Sequence, residues 1–165
     1  MKSGLIFTCL LMVFILKGFS QEKASMTNGL KKNSVYGTAG VWIEDMYGNV
    51  TINYERMLFE YPASFLQAIS IRSGAGPWVA WLAEGINCFS VISVVWGRSS
   101  SHFETGMGVL FTYWNESKEW HPIVNDRHLA GNFGFRYQKP GGKFVFRAGL
   151  GWPEGFYLSL GFCFR

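Results

Sequence analysis

The chain has 165 residues, a length suited to one domain with a core of its own. Charged residues are only 16% of it while aromatic residues reach 18%, a balance that is unusual for a water-soluble globular protein. The net charge falls from +4 to +2 when Lys2 and Lys17 of the amino-terminal segment are left out, so the charge gives no support for a nucleic-acid partner.

The amino-terminal segment, residues 1–20, has the organisation of a secretory signal peptide. A positive start precedes an almost entirely apolar run over residues 5–16, and the small residues Gly18 and Ser20 suit signal peptidase. The apolar run is shorter than the roughly 20 residues that a membrane-spanning helix needs. Cys9 lies inside this run with no polar mature start after it, so we do not interpret it as a lipoprotein cysteine. We therefore expect cleavage and export.

Residues 21–34 are polar and lack periodicity, and we expect them to form a flexible periplasmic leader. Over residues 35–165 apolar side chains recur at every second position in segments of about ten residues, the length that a tilted membrane β-strand needs. The predicted strands are 35–44, 49–58, 64–73, 85–97, 102–114, 129–138, 143–151 and 155–164. The pattern predicts an all-β fold, a single up-and-down antiparallel transmembrane β-barrel of about eight strands.

The alternation separates a large apolar face from a face of small and charged residues. The positions predicted to face lipid are Val50, Ile52, Val109, Phe111, Phe144, Phe146, Leu158, Leu160 and Phe162. The charged residues of opposite parity, predicted to point into the barrel, are Glu55, Arg72, Glu104, Arg136 and Arg147. A charge facing lipid would cost about 2–4 kcal/mol near the membrane midplane. Because the interior of an eight-stranded barrel is just wide enough to be filled by side chains, we predict a packed structural charge network and no open pore.

The connections between the predicted strands alternate in length. The short turns 98–101 and 139–142 are expected on the periplasmic side, and the longest links, 74–84 and 115–128, on the extracellular side, although the link 152–154 on that side is short. Tyrosine and tryptophan collect at strand ends, where interfacial girdles would place them. These residues are Tyr36, Tyr61, Trp96, Trp114, Tyr137, Trp152 and Tyr157.

Ser101, His102 and Glu104 resemble in type the catalytic groups of outer-membrane lipid-hydrolysing enzymes. Strand parity places Ser101 on the face opposite to His102 and Glu104, and His102 falls at the expected periplasmic end. We therefore expect that the protein is not an enzyme.

His121, His128 and Asp126 lie in the predicted link 115–128, which invites a metal site. His121 and His128 are seven residues apart in an irregular segment, which does not define a coordination geometry. We therefore interpret the three residues as solvated loop residues and expect neither metal nor cofactor. Cys88 and Cys163 fall on opposite sides and opposite faces of the barrel, so we expect no disulfide between them.

Four short blocks of sequence carry a resemblance. They are NYER at 53–56, SHFETGMG at 101–108, GFRYQKP at 134–140, and FVFRAGL at 144–150 followed by SLGFCF at 159–164. In this order they resemble an uncharacterised outer-membrane β-barrel family common in Bacteroidetes, over most of residues 35–164. The resemblance implies the barrel fold, the cell outer membrane as location and outer-membrane lipids as surroundings, but no activity.

The last predicted strand ends in an aromatic residue, Phe164, which resembles the signal that the barrel-assembly machinery reads in its clients. Arg165 follows it and departs from that pattern. The resemblance therefore implies the assembly machinery as a partner during biogenesis.

Two roles besides an enzyme stay open at this stage. A membrane barrel would have a structural or surface-interaction role through its extracellular loops, with a surface ligand that the sequence does not identify. A soluble exported barrel of lipocalin type would bind a small apolar ligand inside. The second needs an apolar interior, whereas parity gives this chain a charged one, so we favour the membrane barrel.

Overall fold

The computed structural model describes residues 30–43, 47–61, 64–80, 83–116 and 124–165. Over these residues the fold is all-β, and no helix is long and apolar enough to cross a bilayer. The strands are β1 (Asn33–Trp42), β2 (Tyr47–Glu60), β3 (Leu66–Val79), β4 (Ala83–Arg98), β5 (Ser101–Glu116), β6 (Val124–Tyr137), β7 (Phe144–Trp152) and β8 (Gly155–Phe164).

The strands form one closed barrel in which each is antiparallel to its neighbours along the chain. Closure is made by β1 and β8, with Asn33 opposite Phe164 and Val41 opposite Phe156, so that each strand has a hydrogen-bonded neighbour on both sides. The predicted all-β, up-and-down, eight-stranded antiparallel barrel is therefore confirmed. We call the end where β1 begins and β8 ends the terminal end, and the other the far end.

The predicted long link 74–84 at the far end is wrong. The strands β3 and β4 run on through most of it and leave only residues 80–82 between them. Even Pro77, which has no backbone N–H to donate, lies within the β3–β4 ladder opposite Ile86. A Cβ at Gly76 would lie 2.0 Å from the backbone oxygen of Val50, so a glycine is needed there for β2 and β3 to pack.

The other predicted long link, 115–128, is also shorter than expected. Because β5 ends at Glu116 and β6 begins at Val124, only residues 117–123 connect them, and they lie outside the described residues. His128 and Asp126, predicted to be loop residues, therefore belong to β6, while His121 lies outside the described part of the chain.

The amino-terminal boundary also differs from the prediction. β1 begins at Asn33, and Leu30 is buried in a cluster with Met57, Ala68 and Val95. The predicted leader 21–34 therefore extends too far, because its last residues already belong to the barrel. The predicted signal peptide lies outside the described residues.

The distribution of side chains is the inverse of that in a water-soluble protein. The largest fully buried side chains are those of Arg72, Arg136 and Arg147, and among described residues the buried polar and charged ones outnumber the buried hydrophobic ones. Large apolar side chains point outward, with Ile52 at 72% and Phe162 at 70% exposure. Strand alternation produces this arrangement, because every second residue must face the opposite side.

The predicted placement of aromatic residues is wrong for Tyr36 and Tyr157. Both are 2% exposed and lie inside the barrel, since each has the parity opposite to an outward apolar neighbour. Tyr61, Tyr137 and Trp152 do lie exposed near strand ends.

Candidate functional site in the barrel interior

The charged residues predicted to point inward all do so, from five different strands. They are Glu55 on β2, Arg72 on β3, Glu104 on β5, Arg136 on β6 and Arg147 on β7. None is more than 1% exposed, so each depends on partners within the protein.

Among the described residues of the interior, Arg136 and Glu55 form one of three close ion pairs. The Nη1 group of Arg136 donates to both carboxylate oxygens of Glu55 at 2.8 Å. Ser70 Oγ donates to Glu55 at 2.6 Å, and Gln138 Oε1 accepts from Nε and Nη2 of Arg136 at 2.9 and 2.6 Å. Arg136 Nη1 also lies 3.7 Å from Glu104 Oε2, which joins this pair to the next. A buried ion pair is tolerated when the other donors and acceptors of its two side chains also have hydrogen-bond partners, as those of Arg136 and Glu55 do.

Arg147 and Glu104 form the second pair. Arg147 Nε donates to Glu104 Oε1 at 2.8 Å, and Nη2 donates to the same oxygen. That oxygen also accepts from Tyr157 Oη at 3.1 Å and Asn132 Nδ2 at 3.2 Å. The Arg147 guanidinium lies 4.8 Å from the ring centre of Tyr36 and donates to its hydroxyl, so the two inward tyrosines serve as partners of this ion pair.

The third pair contains an acidic residue that the sequence reasoning missed. Arg72 Nη1 donates to Glu154 Oε1 at 2.6 Å, and Nη2 donates to Asn132 Oδ1 at 3.3 Å. The Arg72 guanidinium also lies 4.8 Å from the ring centre of Phe89. With Glu154, the described charged residues of these ion pairs are three arginines and three glutamates, whose formal charges cancel.

Glu154 reaches the interior because the β7–β8 turn folds into the far end of the barrel. Pro153, Glu154 and Gly155 are all buried, and the Pro153 oxygen accepts from Asn49 Nδ2 at 2.8 Å. A Cβ at Gly40 would lie 1.9 Å from the Glu154 oxygen, so the turn needs a glycine at that position of β1.

The interpretation of 152–154 as a short outer link concealed the role of Glu154. A signal was available in the charge balance, because two acids against three bases leave one cation without a counter-ion in a closed interior.

A second group of polar side chains fills the far end of the interior. Tyr47 Oη accepts from Asn87 Nδ2 at 2.5 Å, and Thr112 Oγ1 donates to Asn87 Oδ1 at 3.0 Å. The Tyr47 ring stacks on Trp78 with 5.5 Å between ring centres. Together with the β7–β8 turn, these side chains occupy the mouth of the barrel.

The nine positions predicted to face lipid lie on the outer face of the barrel. Val50, Ile52, Val109, Phe144, Leu158, Leu160 and Phe162 are exposed, while Phe111 and Phe146 are partly covered. The Arg127 guanidinium lies 5.9 Å from the ring centre of Phe111.

Of the residues considered for metal binding, His121 and the side chain of Asp126 lie outside the described part of the structure. Of those considered for catalysis, Ser101 and His102 are buried, and His102 Nε2 lies 3.4 Å from the backbone oxygen of Gln138. Glu104 belongs to the ion pair with Arg147. Within the described ranges, no three His, Cys, Asp or Glu side chains lie close enough together to hold a metal ion. Cys88 and Cys163 are both free thiols, on β4 and β8.

Comparison with known proteins adds no relative from which a function could be transferred. No protein-family model matches the chain, and no curated protein matches its sequence. The interior is therefore interpreted from its own geometry.

Proposed function

We propose that this protein is an outer-membrane β-barrel, exported by a cleaved signal peptide, whose strands cross the bilayer and whose interior is closed by ion pairs. The observation that carries the proposal is the combination of paired buried charges in the interior with a predominantly apolar outer surface. A bilayer rewards apolar side chains on the outside and requires every backbone hydrogen bond to be made within the protein, which a closed barrel achieves.

The height of the apolar surface supports a membrane location. On β4 the outward residues from the terminal end to the far end are Arg98, Trp96, Val94, Ile92, Ser90, Cys88, Ile86 and Glu84. From Trp96 to Ile86 the strand rises about 33 Å, or about 25 Å along the barrel axis for a tilt near 40°. An outer-membrane barrel has an apolar band of about this height, flanked by aromatic residues.

The interior argues against the soluble, lipocalin-type alternative. A small apolar ligand would need an apolar cavity, whereas the centre of this barrel is filled by three arginines and their carboxylate partners. Its buried apolar residues form small separate clusters, such as Tyr36, Val145 and Cys163.

Within the membrane reading, we propose a structural or surface-interaction role through the connections at the far end, of which the longest joins β5 to β6. The lipids of the outer membrane surround the barrel, and the barrel-assembly machinery inserts it. The resemblance to the Bacteroidetes barrel family agrees with the proposed location and implies no particular role.

Fractionation of the native host tests the location. We expect the protein in the outer-membrane fraction, with faster gel migration before boiling than after, because a folded barrel is compact in detergent. Recovery as a periplasmic or secreted species would overturn the proposal and favour the lipocalin-type function.

Conductance across planar lipid bilayers tests the closed interior. The reconstituted protein should show no steady conductance, because the ion pairs and the β7–β8 turn fill the barrel. A stable open channel in the wild-type protein would refute the closed interior while leaving the membrane location intact.

We propose no catalytic role for Ser101, His102 and Glu104, since Glu104 is committed to Arg147. Fatty-acid release from lipid by the purified protein, absent in a His102→Ala variant, would contradict this.

A further inference from the structure

Basic residues outside the barrel interior are concentrated at one of its two ends. At the terminal end the basic residues are Lys31, Lys32, Arg56, Arg98, Lys139, Lys143 and Arg165, a set that we call the basic collar. All of them except the half-buried Lys31 are exposed. Among the described residues outside the interior, the acidic side chain at this end is that of Glu60.

The basic collar surrounds the barrel. Its members come from the residues before β1, the carboxyl-terminal parts of strands β2 and β4, the β6–β7 connection and the residue after β8. At the far end the exposed described charges are mixed, with Glu84 and Arg127, and the sequence around the β1–β2 and β5–β6 connections has more acids than lysines and arginines. These acids are Glu44, Asp45, Glu116, Glu119 and Asp126.

Three collar residues follow, two positions further toward the terminal end, an aromatic residue on the outer face of a strand; Arg56 and Arg98 lie in the same strand as that residue, and Lys139 lies just past the end of β6. Tyr54 precedes Arg56 and Tyr137 precedes Lys139, while Trp96 stands in the same relation to Arg98. Aromatic side chains of this kind lie at the level of lipid headgroups. The cations are therefore at the height where phosphate groups would be.

We propose that the basic collar binds the headgroups of anionic phospholipids in the leaflet at the terminal end of the barrel. The inference rests on the proposed membrane function. Clustered Lys and Arg side chains next to a membrane surface attract anionic lipids, with a gain of up to about fivefold in association per residue. Arg56 and Arg98 of the collar adjoin the apolar outer surface directly, which favours lipid over an anionic cell-wall polymer as the partner.

Trp96 provides a local probe, because it lies beside Arg98 while Trp42, Trp78, Trp114 and Trp152 belong to the far end. The full mature chain would be reconstituted in phosphatidylcholine vesicles containing brominated phosphatidylglycerol or brominated phosphatidylcholine, and the quenching of tryptophan fluorescence measured. The difference between the wild-type protein and a Trp96→Phe variant isolates the signal from Trp96.

We expect brominated phosphatidylglycerol to associate near Trp96 several-fold more strongly than brominated phosphatidylcholine. A quadruple variant, Arg56→Gln, Arg98→Gln, Lys139→Gln and Lys143→Gln, should lose this preference, and 1 M salt should weaken it in the wild type. Arg127→Gln removes a cation from the outer face at the far end and serves as the matched control, which should keep the preference.

Equal quenching by the two lipids at Trp96 in the wild-type protein would overturn the proposal, as would an unchanged preference in the quadruple variant. If that variant instead lost co-sedimentation with purified peptidoglycan, the collar would be a cell-wall contact. If neither brominated lipid quenched any tryptophan, the membrane location itself would be refuted. The two proposals therefore fail in distinguishable ways.

Discussion

Replacing Glu154 with glutamine removes the anionic partner of the fully buried Arg72 while keeping the shape of the side chain. Removal of one member of a buried ion pair costs about 3–5 kcal/mol. Arg72 would keep its contact with Asn132 at 3.3 Å and with the Phe89 ring at 4.8 Å, and the glutamine oxygen could still accept a hydrogen bond. We therefore expect the unfolding free energy to fall by about 3 kcal/mol, the lower limit of that range, which is roughly a 150-fold change in the unfolding equilibrium constant.

Urea unfolding of the barrel refolded into detergent or vesicles, followed by tryptophan fluorescence and by heat-modifiable gel migration, measures this change. Glu84→Gln is the matched control, because Glu84 is exposed on the outer face near the same end. The double variant Arg72→Met, Glu154→Gln removes both charges and should be destabilised less than Glu154→Gln alone. The argument fails if Glu154→Gln unfolds at the same urea concentration as Glu84→Gln, or if the double variant shows the full sum of the single effects.

Three further changes test other parts of the structure. Arg136→Ala should lower the unfolding free energy by a few kcal/mol, because it leaves Glu55 buried without its main partner, and an unchanged urea midpoint would refute a packed interior. Gly40→Ala should lower the unfolding free energy by about 1–3 kcal/mol, because the new Cβ would clash with the backbone oxygen of Glu154. Gly37 has open space where a Cβ would lie, so Gly37→Ala should unfold like the wild type in the same urea titration. Ile52→Arg should reduce stability in vesicles by about 2–4 kcal/mol, and equal stability of that variant and the wild type would argue that this face does not contact lipid.

Strand alternation made most of the barrel predictable. Because one residue in two must face inward, the parity of Glu55 in β2 or Arg147 in β7 is readable without any knowledge of neighbouring strands. The same rule also places Tyr36 and Tyr157 inside. The prediction of interfacial girdles assigned them to the outer face because they stand near strand ends.

Features that depend on contacts across the barrel were not predictable in this way. Gly76 and Pro77 have the composition of a loop, and only the close approach of the Val50 backbone explains why they belong to a strand. Glu154 lies in a turn, where alternation gives no direction to a side chain. Its orientation is set by the packing of the turn against Gly40 and by the hydrogen bond from Asn49.

The three ion pairs join residues that are far apart along the chain. Arg72 and Glu154 are 82 positions apart, Glu55 and Arg136 are 81 apart, and Glu104 and Arg147 are 43 apart. In each pair one residue lies on β2, β3 or β5 and its partner follows Glu116 in the chain. A sheet of strands β1 to β5 alone would therefore hold Glu55, Arg72 and Glu104 without these partners. A hairpin-by-hairpin entry into the bilayer would expose those charges to hydrocarbon, at about 2–4 kcal/mol each. All three pairs are complete only when the last hairpin arrives, so for the proposed membrane barrel we expect barrel closure and membrane entry to be a single cooperative event.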